Sequence, residues 1–153
     1  MTPSTLRAAV VAERAAWVRE MLARVRGLPL GSADEFFSDA RNVAAAESYL
    51  RRALEALLDL GRHVLAKGFG VAPSEYKEVA RGLEGVGVLA PDSARTLVVL
   101  AGYRNRMVHF YHEVGPQELY EVCSQRLGDV EGVLDAMLAW CRGHPERFDV
   151  PVE

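Results

Sequence analysis

The sequence has no apolar run approaching the roughly 20 residues that a membrane-spanning helix needs. Residues 1–7 also lack the apolar core of a secretory signal peptide. We therefore expect a cytoplasmic protein that does not contact a membrane. At 153 residues, the chain is long enough to bury one sizeable core and short for two. We expect a single domain over residues 1–153, with a tail over about residues 144–153.

Cysteine is scarce, with only Cys123 and Cys141. Both fall in the last predicted helix, where a rise of 1.5 Å per residue separates them by roughly 27 Å. That distance excludes a disulfide, so we expect reduced thiols. Neither Cys-x2-Cys nor His-x3-His spacing occurs, and we predict no metal and no cofactor. His109 and His112, three residues apart, leave a weak metal-binding pair as an alternative.

Positive charge is limited as well, because the net charge is −3. The whole surface is therefore not a polycation that attracts nucleic acid. Apart from Lys67 and Lys77, every cation is an arginine. Arginine suits two-pronged contacts with phosphate, although a biased genome composition would produce the same excess.

No segment alternates in the manner of a β-strand, whereas helical periodicity fills the chain. We predict an all-α, up-and-down bundle of four main helices plus a short one. Ser32 begins the second helix with a capping box, Ser38-Asp39 is a possible break within it, and Gly68 is its predicted C′ residue. The predicted helices are Thr5–Arg26, Ser32 to about Lys67, Ser74 to about Leu83, Pro91 to Gly115, and Pro116 to Gly143.

The fourth predicted helix carries an unusual polar stretch over residues 103–112, Tyr-Arg-Asn-Arg-Met-Val-His-Phe-Tyr-His. Long polar side chains at the end of a buried helix are costly unless they are paired or used. On an ideal helix the stretch divides into two faces. The polar wedge consists of Arg104, Asn105, His109, Tyr111 and His112, and the core-facing side consists of Leu100, Tyr103, Met107, Phe110 and Val114.

Within this wedge, Asn105 lies four residues before His109, so its amide can orient the imidazole. Arg104 and His109 are separated by about 140° on the ideal helix. They meet only if the arginine reaches across, the helix is distorted, or two subunits place their motifs face to face. A second copy of the chain is the simplest partner for the wedge.

Other polar residues have plainer interpretations. His112, His63 and His144 are most simply caps or surface residues. A basic stripe recurs every eleven positions along one helix face, at Arg41, Arg52 and His63. This stripe either guides RNA or is a solvated surface paired with Glu55, Asp59 and their neighbours.

The order of residues in the motif resembles the HEPN superfamily, and within it the HepT-like toxins of toxin–antitoxin pairs. The family signature is Arg, a polar residue, three variable residues, His, any residue and Tyr, which residues 104–111 match without departure. The resemblance also covers the stretch from residues 44–50 through residues 59–64, and then residues 73–76 and 83–89.

The resemblance implies the toxin of a type VII-like toxin–antitoxin system, a homodimer that acts as a metal-independent endoribonuclease on an RNA substrate. Arg104 and His109 would be catalytic, and Asn105 would support them. A minimal nucleotidyltransferase antitoxin would silence the enzyme by adding AMP to Tyr111. Histidine can move the 2′-OH proton and arginine can stabilise the phosphorane, so the residue types agree with this chemistry.

Two other functions fit the same residues. The chain would instead be a non-catalytic binding subunit of a minimal nucleotidyltransferase, with Tyr111 as its target, or a purely structural helical bundle. The motif would be present in both a ribonuclease and a non-catalytic binding subunit, so the sequence separates these two functions poorly.

Overall fold

A computed structural model describes residues 3–109 and 114–153, and these residues form seven α-helices. A short 3-10 helix follows at Pro145–Arg147. The predicted all-α class is confirmed. No helix within the described residues is long and apolar enough to cross a bilayer. The helices are α1 (Ala8–Arg26), α2 (Ala33–Phe37), α3 (Ala40–Phe69), α4 (Tyr76–Gly85), α5 (Pro91–Val108), α6 (Pro116–Gln125) and α7 (Leu127–Gly143).

The second predicted helix is divided at the suspected break. Ser32 caps α2, because its Oγ accepts a hydrogen bond from the backbone N–H of Glu35 at 3.1 Å. Asp39 caps α3 in the same way, accepting from the N–H of Arg41 at 2.9 Å. Each side chain satisfies an N–H group that the first helical turn leaves without a partner.

The end of α3 and the start of α4 differ from the prediction. Gly68 is not the C′ residue, because α3 continues to Phe69 and Gly70 adopts the left-handed conformation with φ of 67°. Gly68 is instead a packing residue, since a Cβ there would lie 3.3 Å from Cδ1 of Leu6. Ser74 does not cap α4, which begins at Tyr76 after an extended residue without a side-chain cap.

The predicted tail belongs to the folded bundle. Leu6 is extended and forms a parallel bridge with Phe148, which delays the start of α1 from the predicted Thr5 to Ala8. The N–H of Ala8 then donates to the Asp149 carboxylate at 2.9 Å. Phe148 is buried, so this part of the tail contributes to the core.

The last predicted helix is also divided, at Arg126, where φ of −117° and ψ of 4° interrupt the helical backbone. Cys123 therefore lies on α6 and Cys141 on α7, so the premise of one continuous helix between them is wrong. Both cysteines are free and buried, as expected for reduced thiols.

Helix α3 is the centre of the bundle, with α1 packed along it and α4, α5, α6 and α7 also in contact. Its crossing with α4 depends on Gly61, where a Cβ would lie 2.8 Å from Cδ1 of Leu83 and 3.0 Å from Cγ1 of Val79. Glycine allows this close approach without a shift of the Leu83 and Val79 side chains. The approach places Tyr76, the first residue of α4, beside polar residues of α3.

Candidate active site

Helix α5 ends before the motif of residues 104–111 is complete. The backbone of His109 is extended, and its N–H makes the last helical hydrogen bond, to the carbonyl of Asn105 at 3.0 Å. The prediction that this helix continues to Gly115 is therefore wrong. Val108, the last helical residue, is 43% exposed, and Val, His, Phe and Tyr are weak helix formers.

This ending limits the helical-wheel prediction. Leu100 is buried, and Tyr103, Met107 and Val114 pack against the core as expected. The angle assigned to His109 does not apply, because His109 lies beyond the helix. The predictions for Phe110, Tyr111 and His112 fall outside the described residues.

The described motif residues nevertheless share one cleft, of about 460 Å³. The backbone changes direction at the end of α5, and Arg104 and His109 of one chain line the same cleft. The lining residues are Arg62, Ser74, Glu75, Tyr76, Arg104, Asn105 and His109.

The Arg104 guanidinium is half-buried and lightly held. Its Nη2 lies 3.6 Å from Oε2 of Glu55, and its Nη1 is 3.4 Å from Oδ1 of Asn105. Its Cζ lies 4.6 Å from the ring centre of Tyr76. The buried Nε has no hydrogen-bond partner among the described residues. The arginine thus keeps donors that an anionic ligand in the cleft can engage.

Tyr76 connects α4 with α3 at the base of this arrangement. Its hydroxyl donates to Oδ1 of Asp59 at 2.9 Å, and Cζ of Arg62 lies 4.8 Å from its ring centre. Burial, followed by the hydrogen bond to Asp59, raises the pKa of Tyr76 to about 12. The phenol therefore stays protonated at neutral pH and keeps donating to the carboxylate.

Sequence reasoning missed Arg62 and Tyr76 as site residues. The signal was the resemblance over residues 59–64 and 73–76, whose side chains come to the cleft from α3 and from the start of α4. Without the fold, nothing in their spacing connects them with a motif at residues 104–111.

The suspected basic stripe does not line this cleft. Arg41 is hydrogen-bonded to Asp39 at the start of α3, and its side chain is 91% exposed. His63 is half-buried, and burial lowers its pKa from the usual 6.5. The suggested partners of the stripe are engaged elsewhere, Glu55 with Arg51 and Arg104, and Asp59 with Arg62 and Tyr76.

Among residues 3–109 and 114–153, no three His, Cys, Asp or Glu side chains are grouped as a metal site would require. The alternative pair of His109 and His112 includes a residue outside the described part of the chain.

Comparison with known proteins identifies the family. The model of the ribonuclease HepT-like family matches residues 18–137. The tRNA nuclease HepT of Aphanizomenon flos-aquae is 26% identical over 93 residues. That match covers 61% of this chain and 63% of the relative, which is less than two thirds of its length.

Solved structures share the fold. A tri-AMPylated HEPN toxin of Shewanella oneidensis, in complex with MNT antitoxin, is similar with a TM-score of 0.77 and 21% identity, over 85% of this chain and 97% of that one. The cytosolic protein YutE of Bacillus subtilis gives a TM-score of 0.74 at 17% identity, over 92% and 94% of the two chains. The family expected from the motif is confirmed. The chain belongs to the ribonuclease HepT-like family.

Proposed function

We propose that this protein is a metal-independent endoribonuclease and the toxin of a toxin–antitoxin pair. The observation that carries the proposal is the single cleft lined by Arg104, Asn105 and His109. Membership of a ribonuclease family and the likeness to a tRNA nuclease support RNA as the substrate. We also take residues 1–153 as one functional domain, because Phe148 of the tail packs in the common core.

Arg104 and His109 divide the chemistry between them. The imidazole of His109, exposed at the end of α5, accepts the 2′-OH proton while the 2′ oxygen attacks phosphorus. The bond from phosphorus to the 5′ oxygen breaks, and that oxygen takes up a proton. Arg104 stabilises the negative charge on the phosphorane, and Asn105 orients the base or binds phosphate. The products carry a 2′,3′-cyclic phosphate and a 5′-hydroxyl.

A homodimer is the proposed functional form. Among the described residues, each cleft is lined by one histidine, His109, whereas the reaction needs one proton removed and another delivered. His109, which lines the cleft, and its neighbour Val108 are both exposed, so a second chain can approach them. Two adjoining clefts would supply an imidazole for each proton transfer.

The proposed inhibitor is AMP attached to Tyr111 by a minimal nucleotidyltransferase antitoxin. Tyr111 follows His109 by two residues in the sequence. The added phosphate would bring negative charge and bulk to the cleft that holds Arg104. The Shewanella oneidensis relative is tri-AMPylated in complex with MNT antitoxin, which supports the same partner here.

Cleavage of RNA in the presence of a chelator tests the catalytic assignment. We expect His109→Ala and Arg104→Gln each to lower kcat by about 10²-fold or more, the usual cost of losing a proton-transfer group or a charge-stabilising donor. Arg24→Gln is the matched control, because Arg24 also pairs with a carboxylate and contacts a tyrosine ring, but lies outside the cleft. Undiminished cleavage by both cleft variants would refute the assignment, and cleavage abolished by the chelator would refute metal independence.

Mass spectrometry after co-expression with a minimal nucleotidyltransferase tests the modification. We expect AMP on the unaltered chain and none on Tyr111→Phe. Modification that survives this substitution would refute Tyr111 as the target. If the chain accepts AMP but does not cleave RNA even without AMP attached, it is a non-catalytic binding subunit instead.

A further inference from the structure

Two arginines from different helices contact one aromatic ring in the cleft. The Cζ atoms of Arg62, on α3, and Arg104, on α5, lie 4.8 Å and 4.6 Å from the ring centre of Tyr76. Two like charges are held in the same small space because the ring's negative face attracts each of them. Such a pair of cations has an electrostatic cost unless an anion lies between or beside them.

The nearby carboxylates do not neutralise these cations by direct hydrogen bonds. Nη1 of Arg62 is 3.7 Å from Asp59, and Nη2 of Arg104 is 3.6 Å from Glu55, both beyond ordinary hydrogen-bonding distance. By contrast, Arg106 forms two short bonds with Glu118, at 2.6 Å and 2.9 Å. The guanidinium of Arg106 is thus fully engaged by a carboxylate, whereas Arg62 and Arg104 in the cleft are held only loosely by theirs.

The same carboxylates already have closer partners. Oδ1 of Asp59 accepts from the Tyr76 hydroxyl at 2.9 Å, and Oε1 of Glu55 accepts from Arg51 at 2.7 Å. The buried Nε atoms of Arg62 and Arg104 both have no hydrogen-bond partner within the described part of the chain. Unsatisfied buried donors are costly, and a guanidinium that turns toward an anion and donates to it from Nε removes that cost.

We propose that Arg62 binds a backbone phosphate of the RNA next to the scissile one, and that Tyr76 is a positioning residue that holds Arg62 and Arg104 side by side in the cleft through its ring. The proposal rests on the proposed function in taking RNA as the ligand. Glu75 also lines the cleft and repels phosphate, so the strand passes on the side of the two arginines.

Binding of a non-cleavable RNA over a series of salt concentrations tests the role of Arg62. The probe is a single-stranded oligoribonucleotide of mixed sequence with 2′-O-methyl groups, which block the attacking oxygen. We expect Arg62→Gln to weaken binding and to reduce the slope of log K against log salt by about 0.7, the value for one phosphate contact on a single strand. Arg62→Lys, which keeps the charge, should retain the slope, and Arg24→Gln should match the unaltered chain.

Kinetics with unmodified RNA give a second readout. A phosphate contact beside the reacting group should raise KM in Arg62→Gln and leave kcat nearly unchanged. Tyr76→Leu removes the ring and should lower kcat and raise KM together, because Arg104 loses its position. Tyr76→Phe keeps the ring and should restore most of both parameters. An equal loss in the Phe and Leu variants would overturn the positioning role.

NMR of the unaltered chain avoids dependence on the folding of any variant. The Nε–H signal of Arg62, assigned with Arg62→Lys, should shift when the 2′-O-methyl RNA is added. A signal that stays in place, or an unchanged salt slope in Arg62→Gln, would overturn the proposal. Binding through Arg62 without any cleavage would overturn the proposed ribonuclease function instead, so the two failures are distinguishable.

Discussion

Arg106 and Glu118 form a two-pronged ion pair that joins the end of α5 to the start of α6. The guanidinium Nη1 and Nη2 atoms donate to the two carboxylate oxygens at 2.9 Å and 2.6 Å. The pair spans the segment of chain that contains Tyr111. The ion pair therefore fixes the distance between the end of α5 and the start of α6, the two ends of that segment.

Removing this pair should have a modest, pH-dependent effect. The side chains are 41% and 34% exposed, so we expect Arg106→Gln to lower the free energy of unfolding by about 1 kcal/mol or less. The arginine lowers the pKa of Glu118 below 4.5, so the stabilisation is full above that pH and is lost as pH falls through the lowered pKa. Urea unfolding of the unaltered chain and of Arg106→Gln, at about pH 7 and about pH 3, measures this difference in the free energy of unfolding.

A double-mutant cycle provides the control for that prediction. Glu118→Gln should cost about as much as Arg106→Gln, and the double variant little more, because one interaction is lost in all three. Fully additive losses would show that the two side chains act independently.

Two glycines should respond in opposite ways to alanine. At Gly61 the new Cβ would meet Cδ1 of Leu83 at 2.8 Å, so we expect Gly61→Ala to destabilise the fold by about 1–3 kcal/mol. At Gly132, on the exposed side of α7, no atom lies within 4 Å of the new Cβ. Gly132→Ala should therefore stabilise by about 0.5–1 kcal/mol through helix propensity. Chemical denaturation of both variants measures the contrast, and the same sign for both would contradict it.

His63 should make the fold less stable in mild acid. Burial, with Lys67, Arg14 and Arg7 nearby, lowers the pKa of His63 below its usual 6.5. Between the lowered value and 6.5 the unfolded chain binds more protons, so the free energy of unfolding falls as pH drops through that window. We expect His63→Gln to flatten this dependence in thermal unfolding curves. Identical curves for the variant and the unaltered chain would refute the assignment.

The two cysteines should be unreactive in the native protein. Burial raises the pKa of Cys123 to about 12 and that of Cys141 to about 11, and only the thiolate is nucleophilic. A thiol-specific chromogenic reagent at about pH 8 should label neither residue in the folded chain and both in denaturant. Rapid labelling without denaturant would show that α6 or α7 opens readily.

Local signals in the sequence predicted the helical architecture well. Apolar periodicity located the main helices, and Ser32 and Asp39 marked helix starts because a capping side chain acts on its immediate neighbours. The motif residues Arg104 and Asn105 were found for a similar reason, since their signature is contiguous in the chain.

The errors arose where tertiary contacts decide the local structure. Gly68 looked like a helix end, yet Leu6 packs against it from a distant part of the chain. Leu6 itself looked helical, yet it pairs with Phe148. Arg62 and Tyr76 were missed because their meeting with Arg104 depends on the crossing of α3, α4 and α5. Contacts of this kind have no signature within a sequence window.

The cleft takes its walls from three helices, Arg62 from α3, Tyr76 from α4 and Arg104 from α5. It therefore exists only while these helices are packed, and a ligand that binds it has no equivalent site on the unfolded chain. Ligand binding therefore stabilises the fold. At a ligand concentration one hundred times Kd, the free energy of unfolding rises by about 2.7 kcal/mol. For a chain of this length, such a gain raises Tm by several degrees, on the order of 2–4 °C per kcal/mol. Thermal-shift screening can thus identify ligands of the cleft before any activity has been assayed.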